Sequence, residues 1–152
     1  MNAAKIRTVI VAERVAWVRK MVAGVRSLPL SSYEQFTSDP RTPAAAESYL
    51  RRALEALLDL GRHILAKGFA SAPAEYKEVA EELGRVGVLS EQDGALLRKM
   101  AGYRNRLVHF YHEVSQEELY ALCSLRHSEV EHVCEAILGW IREHPETADN
   151  VL

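Results

Sequence analysis

Gly94-Ala-Leu-Leu-Arg-Lys-Met-Ala-Gly-Tyr-Arg-Asn-Arg-Leu-Val-His-Phe-Tyr-His112 runs without a proline, and no turn signal follows until Ser115. At about 100° per residue, Leu96, Met100, Tyr103, Leu107 and Phe110 fall in one stripe roughly 80° wide, which predicts an amphipathic helix buried along that stripe. The same run carries Arg98, Lys99, Arg104 and Arg106 with two histidines and no carboxylate, so positive charge is concentrated on one segment. With Arg104 at zero, Asn105, His109 and His112 follow at about 100, 140 and 80°, and Tyr111 at about −20°. These residues flank one side of the core stripe. Arg104 and His109 sit on adjacent faces with a rise of ~7.5 Å between them, so they converge only on something as large as a phosphodiester, or across a subunit boundary. The plain alternative is a helix end whose Arg, Asn and His cap carbonyls and interact with the dipole.

Working outward, Ser90 with Asp93 three residues later predicts the start of this helix, and Ser115-Gln-Glu-Glu118 is a full capping box for the next, which runs to about Glu143 before His144-Pro145. Leu119, Leu122, Val130, Val133, Ile137 and Trp140 form its expected core stripe, with Arg126 intruding. Upstream, Ile6, Ile10, Trp17, Met21 and Val25 predict a first helix ending near Ser27. Ser31 to Pro43 reads as a connector that Tyr33 and Phe36 pin to the body. A long helix follows, about Ala44 to Lys67, apolar on two stripes: Leu50, Leu54, Leu57, Gly61 and Ile64, then Tyr49, Ala53, Ala56, Leu60 and His63. Two apolar stripes predict burial on two sides, either central in a bundle or shared with a second subunit. A shorter helix spans about Ala74 to Arg85. The β-branched clusters lie inside helical periodicity, so the fold class is all-α, an up-and-down bundle of four main helices plus a shorter one. Residues 1–144 are expected to form a single helical domain and 145–152 a loose tail.

A chain of 152 residues holds one core. With 19 basic and 21 acidic residues the net charge is −2, so no global field draws in nucleic acid or a membrane, and any polyanion must bind locally. No apolar run reaches membrane-spanning length, and the apolar stretch after Lys5 and Arg7 is soon broken by Glu13 and Arg14, so a cytoplasmic protein is expected. Cys123 and Cys134, eleven residues apart in one expected helix, are too distant to bridge and read as thiols of a reducing compartment.

Other constellations are weaker. Glu129-x-x-His132 has the spacing of a di-iron ligand pair, but the second copy and the further glutamates such a site needs are missing, so a solvated face is the better reading. There is no Gly-rich phosphate loop, zinc spacing or serine elbow. No base-reading platform of exposed aromatics is identifiable.

Arg104-Asn105-x-x-x-His109-x-Tyr111 at the end of a helix in an all-helical chain resembles the HEPN superfamily, and within it the HepT-like toxin branch. The resemblance extends over Asp39-Pro40-Arg41 and the Glu47 to Ile64 helix. It implies a type VII toxin: a metal-independent endoribonuclease, without cofactor, acting as a homodimer whose motif helices face each other across a cleft. It further implies a minimal nucleotidyltransferase antitoxin of the MntA kind that attaches AMP to Tyr111. Arg104, Asn105 and His109 are then the expected catalytic residues, with Arg98, Lys99 and Arg106 as RNA contacts. His112 receives no role.

These residue types suit the chemistry. Cleavage through the 2′-hydroxyl needs a base, an acid and positive charge on the phosphorane; imidazole serves as either proton carrier, and a guanidinium fork matches phosphoryl oxygens. Asn105, four residues before His109, can orient the ring. One histidine cannot be acid and base in the same step, which gives a two-fold dimer a catalytic reason. Tyr111, seven residues after Arg104, is expected on the same helical face. The alternative reading is a non-catalytic helical module that binds a nucleotide or a partner with the same polar face.

Overall fold

The computed structural model describes residues 4–152. It has seven α-helices: α1 Thr8–Arg26, α2 Tyr33–Thr37, α3 Arg41–Gly68, α4 Tyr76–Arg85, α5 Glu91–His109, α6 Gln116–Leu125 and α7 His127–Glu143. Helix α3 is the axis, touching α1, α2, α4, α5, α6 and α7. Its two apolar stripes explain this: Leu50, Leu54, Leu57, Gly61 and Ile64 are buried, and so are Ala53, Ala56 and Leu60 on the neighbouring stripe. Each fully buried leucine contributes roughly 1.5–3 kcal/mol of transfer free energy.

The expected caps hold. Ser90 Oγ accepts from the Asp93 amide at 3.0 Å and Ser115 Oγ from the Glu118 amide at 3.1 Å. The connector contains α2, capped by Ser32, with Phe36 fully buried against Tyr120 at 5.3 Å between ring centroids. In α1 the buried face is Val11, Val15, Val18, Met21, Val22 and Val25, whereas Trp17 is 39% exposed.

Three expectations change. The last helix is two: the backbone at Arg126 turns (φ −107°, ψ −11°), and the His127 ring engages the Cys123 carbonyl at 2.8 Å. A straight helix would bury Arg126 in its apolar stripe; the break leaves it paired with Glu129 at 2.8 Å. Residues 145–152 are not loose. The Ile6 amide donates to the Thr147 carbonyl at 2.8 Å, and the Asp149 amide to the Ile6 carbonyl at 2.9 Å. Asp149 also caps α1 by accepting from the Thr8 amide at 3.0 Å, and Ile6 is fully buried. Finally, α5 ends at His109, where the sequence alone predicts continuation to His112.

Candidate active site at the end of the fifth helix

Arg104 and Asn105 stand on the penultimate turn of α5 and His109 is its last residue. Together with Arg62 from α3 and Ala74, Glu75 and Tyr76 at the start of α4, and with Phe110, they line one open cleft of about 480 Å³. Arg104 Nη1 donates to Asn105 Oδ1 at 3.3 Å, and its guanidinium carbon lies over the Tyr76 ring, 4.8 Å from the centroid. Its Nε is buried without a hydrogen-bond partner, with a Glu55 carboxylate oxygen 3.9 Å away. Glu55 is itself engaged by Arg51 at 3.0 Å, so it steadies Arg104 from a distance without capturing it. His109 is exposed at the cleft.

The floor beside Arg104 is built by α3 and α4. The Tyr76 hydroxyl donates to Asp59 Oδ1 at 2.7 Å, and a second guanidinium, that of Arg62, lies over the same ring at 4.7 Å. Burial first, then the hydrogen bond and charge of Asp59, push the Tyr76 phenol up to about 12, so it stays a protonated donor. Sequence reasoning missed Glu55, Asp59, Arg62 and Tyr76. The available signal was the spacing of Glu55, Asp59 and Arg62, at i, i+4 and i+7, a polar line along an otherwise apolar helix.

Other expected site residues lie elsewhere. Arg106 forms a two-pronged pair with Glu118, one arm at 2.9 Å, and reaches the Glu113 carbonyl at 3.4 Å. Arg98 donates to Glu81 at 2.6 Å. The segment has no carboxylate of its own, but α4 and α6 supply them, so both arginines are paired with carboxylates outside the cleft. Lys99 is exposed and does not line the cleft.

Tyr111 departs from its expected position. Phe110 leaves helical geometry (φ −135°, ψ 36°), and residues 111–113 form a 3-10 turn. Tyr111 therefore does not continue the face of Arg104. It is 69% exposed and borders a separate groove with Pro40, Pro43, Glu47, Leu107 and Leu119. Phe110, expected in the core stripe, is 49% exposed. The reason is tertiary: Arg106 holds Glu118 of α6, and continuing the helix to Ser115 would carry that residue ~9 Å along the axis from His109, away from its place. His132 and Glu129 do not form a ligand pair; they turn to Asp93 at 2.9 Å and Arg126 at 2.8 Å. Among the described residues no group of three His, Cys, Asp or Glu is placed to hold a metal ion.

The fold and the site together are a helical bundle organised on one long central helix, with Arg-Asn-x-x-x-His closing another helix at an open cleft. The family model for ribonuclease HepT-like proteins matches residues 18–137, and the chain belongs to that family. A tRNA nuclease HepT from Aphanizomenon flos-aquae is 24% identical over 119 residues, covering 78% of this chain and 81% of that protein. Among solved structures, a tri-AMPylated Shewanella oneidensis HEPN toxin in complex with an MNT antitoxin superimposes with a TM-score of 0.77 at 20% identity, covering 86% of this chain and 97% of that one. A cytosolic protein of unknown function, YutE from Bacillus subtilis, superimposes at 0.71 with 20% identity, over 88% of this chain and 90% of that one. At such identities the structural likeness establishes the fold.

Proposed function

We propose that the protein is the toxin of a toxin–antitoxin pair, an endoribonuclease that cleaves RNA through its own 2′-hydroxyl without a metal ion. The observation that carries this reading is the convergence of Arg104, Asn105 and His109 on one open cleft, in a family whose relatives include a tRNA nuclease. The 2′-oxygen attacks the adjacent phosphorus as an imidazole accepts its proton; the bond from phosphorus to the 5′-oxygen breaks, and a second acid protonates that oxygen. The products are a 2′,3′-cyclic phosphate and a 5′-hydroxyl. Arg104 stabilises the charge on the non-bridging oxygens, a role whose loss typically costs about 10²–10³ in rate. Asn105 holds the guanidinium through its carbonyl oxygen. The second proton carrier comes from the partner of a homodimer, and His109, Phe110 and Tyr111 are exposed together at the helix end where that partner would meet it.

Control falls to Tyr111. A relative of this fold is AMPylated and bound to an MNT antitoxin, and Tyr111 presents a largely exposed hydroxyl. Its oxygen would bond to the α-phosphorus of a nucleoside triphosphate held by a nucleotidyltransferase, with pyrophosphate leaving and the phenolic proton passing to a base of that enzyme. Because Tyr111 lies off the Arg104 face, neutralisation acts through bulk and charge at the proposed dimer and RNA entrance, not through an ion pair with Arg104.

The test is expression without and with an MNT-type nucleotidyltransferase antitoxin. Wild-type protein alone should arrest growth and, purified in EDTA, leave cyclic phosphate ends on RNA. Arg104→Ala and His109→Ala should lower the cleavage rate by about 10²–10⁴ with unchanged melting. Cleavage that requires Mg²⁺, or that survives His109→Ala, would refute the mechanism. Intact mass should rise by one or more AMP units on coexpression, and Tyr111→Phe should abolish that gain.

A further inference from the structure

Most arginines of this chain that touch another side chain are held by carboxylates. Arg41, Arg85, Arg98, Arg106 and Arg126 each donate a hydrogen bond to an Asp or Glu side chain. Arg104 and Arg62 are held differently. Their nearest carboxylate oxygens, on Glu55 and Asp59, stand at 3.9 and 3.6 Å, while their guanidinium carbons lie 4.8 and 4.7 Å from the centroid of one ring, Tyr76. The distinction matters chemically. A bidentate carboxylate neutralises a guanidinium and occupies the in-plane N–H fork that a phosphate would use. An aromatic face instead engages the flat side of the cation, orienting it while leaving in-plane donors for an anion.

The ring is itself fixed. Tyr76 opens α4, and its hydroxyl is anchored on Asp59 at 2.7 Å. Arg62 is tied a second time, donating from Nη2 to the Ala74 carbonyl at 3.1 Å. Both cations line the cleft that holds Asn105 and His109. The Arg104 Nε proton, buried without an acceptor, marks a side chain whose position is set by packing more than by its own hydrogen bonds.

We infer that Tyr76 positions Arg104 and Arg62 as a paired receptor for the backbone of one RNA strand, with Arg104 at the scissile phosphate and Arg62 binding the phosphate next along the chain. The nature of the polyanion rests on the ribonuclease reading above; the two-cation receptor rests on the geometry. One ring sets the separation of the two charges to less than twice the guanidinium–ring distance, which suits neighbouring phosphates of a single strand. Glu75, an exposed carboxylate in the cleft lining, opposes this attraction and limits affinity.

The experiment separates binding from cleavage. A fluorescein-labelled 2′-deoxy oligonucleotide, which cannot be cut by this route, is titrated by anisotropy over a range of salt concentrations against full-length His109→Ala protein. On this background Arg62→Gln should weaken binding severalfold and reduce the slope of log affinity against log salt by about 0.7, one phosphate contact on a single strand. Glu75→Gln should tighten binding. In the His109-intact protein, Tyr76→Leu should lower the single-turnover rate at saturating RNA by about 10-fold or more, while Tyr76→Phe, which keeps the ring, should restore most of it; Arg62→Gln should act on KM with kcat nearly unchanged. An unaltered salt slope in Arg62→Gln, or equal activity of folded Tyr76→Leu and Tyr76→Phe, would overturn the receptor. Should Tyr76→Leu fail to fold, the salt slope of Arg62→Gln alone decides. Oligonucleotide binding with the expected slopes but no RNA cleavage by any protein would remove the ribonuclease reading and leave the receptor standing. Cleavage by the wild type with Arg62→Gln unchanged in both slope and KM would do the reverse.

Discussion

Two arginines two positions apart on α5 meet opposite fates. Arg104 faces a ring and an open cleft; Arg106 is clamped to Glu118, which joins the end of α5 to the start of α6. The clamp raises the Arg106 guanidinium above its ordinary value, mainly through the Glu118 hydrogen bond. Since both side chains are about one-third exposed, the pair stabilises the fold by no more than roughly 0.2–1 kcal/mol. Arg106→Gln should therefore lower the denaturation midpoint slightly and leave RNA affinity at fixed salt almost unchanged, whereas Arg104→Gln should do the opposite. Paired measurements of urea unfolding and oligonucleotide binding check this; a large affinity loss in Arg106→Gln would return that residue to the RNA surface.

Helices α4 and α5 must lie close for Tyr76 to reach Arg104, and glycine permits it. A Cβ added at Gly94 would stand 3.3 Å from the Cα of Gly84 and 3.6 Å from the Ala80 carbonyl oxygen, both backbone atoms of α4 that cannot rotate away. Gly94→Val should push the helices apart and cost about 1–3 kcal/mol, as overpacking does. Because the displaced helix carries Tyr76, cleavage should fall beyond what the unfolded fraction explains. Single-turnover rates measured well below the melting transition make the distinction; full activity in a destabilised variant would show that helix spacing does not govern the site.

At the scale of the whole molecule, two properties are testable. The exposed His109, Phe110 and Tyr111 at one helix end should be covered by a second copy, an isologous contact that places each motif opposite its symmetry mate. Light scattering at micromolar concentration should give twice the 17.1 kDa chain mass, and a single-chain mass would leave His109 without its second proton carrier. The second property is pH dependence. His63 Nε2 accepts the Arg7 amide at 3.0 Å where the N-terminal segment meets α3. Burial first, then the positive charges of Lys67, Arg7 and Arg14, lower its pKa from 6.5. The folded state thus favours the neutral ring, the unfolded state binds more protons below 6.5, and stability contributed by His63 is present above that pH and lost as pH falls through the folded value. Denaturation midpoints should drop on acidification below this point. His63→Gln should flatten the drop, and an unchanged slope would assign it to other groups.

How much of this was legible in the chain follows from the range of the forces involved. The helices α1, α3, α4 and α5, the serine caps at Ser90 and Ser115, and the Arg-Asn-x-x-x-His motif depend on contacts within about one helical turn, so periodicity and local hydrogen bonding suffice to reveal them. Burial of α3 on two sides was also legible, because two apolar stripes need two coverings, while the tertiary structure decided that helices of the same chain supply them. What only the tertiary structure decided involves partners far apart in sequence. Tyr76 lies 17 residues from Asp59, Arg98 lies 17 from Glu81, and Arg106 lies 12 from Glu118. The N-terminal segment and the C-terminal residues that dock on each other are 141 apart. No local pattern encodes which distant carboxylate pairs with Arg98 or Arg106, or that a ring from another helix will leave Arg104 charged and open. The end of α5 at His109 has the same origin: nothing in Phe110-Tyr111-His112 forbids a helix, but α6 must return to α3, and that long-range packing outweighs one more turn of hydrogen bonds.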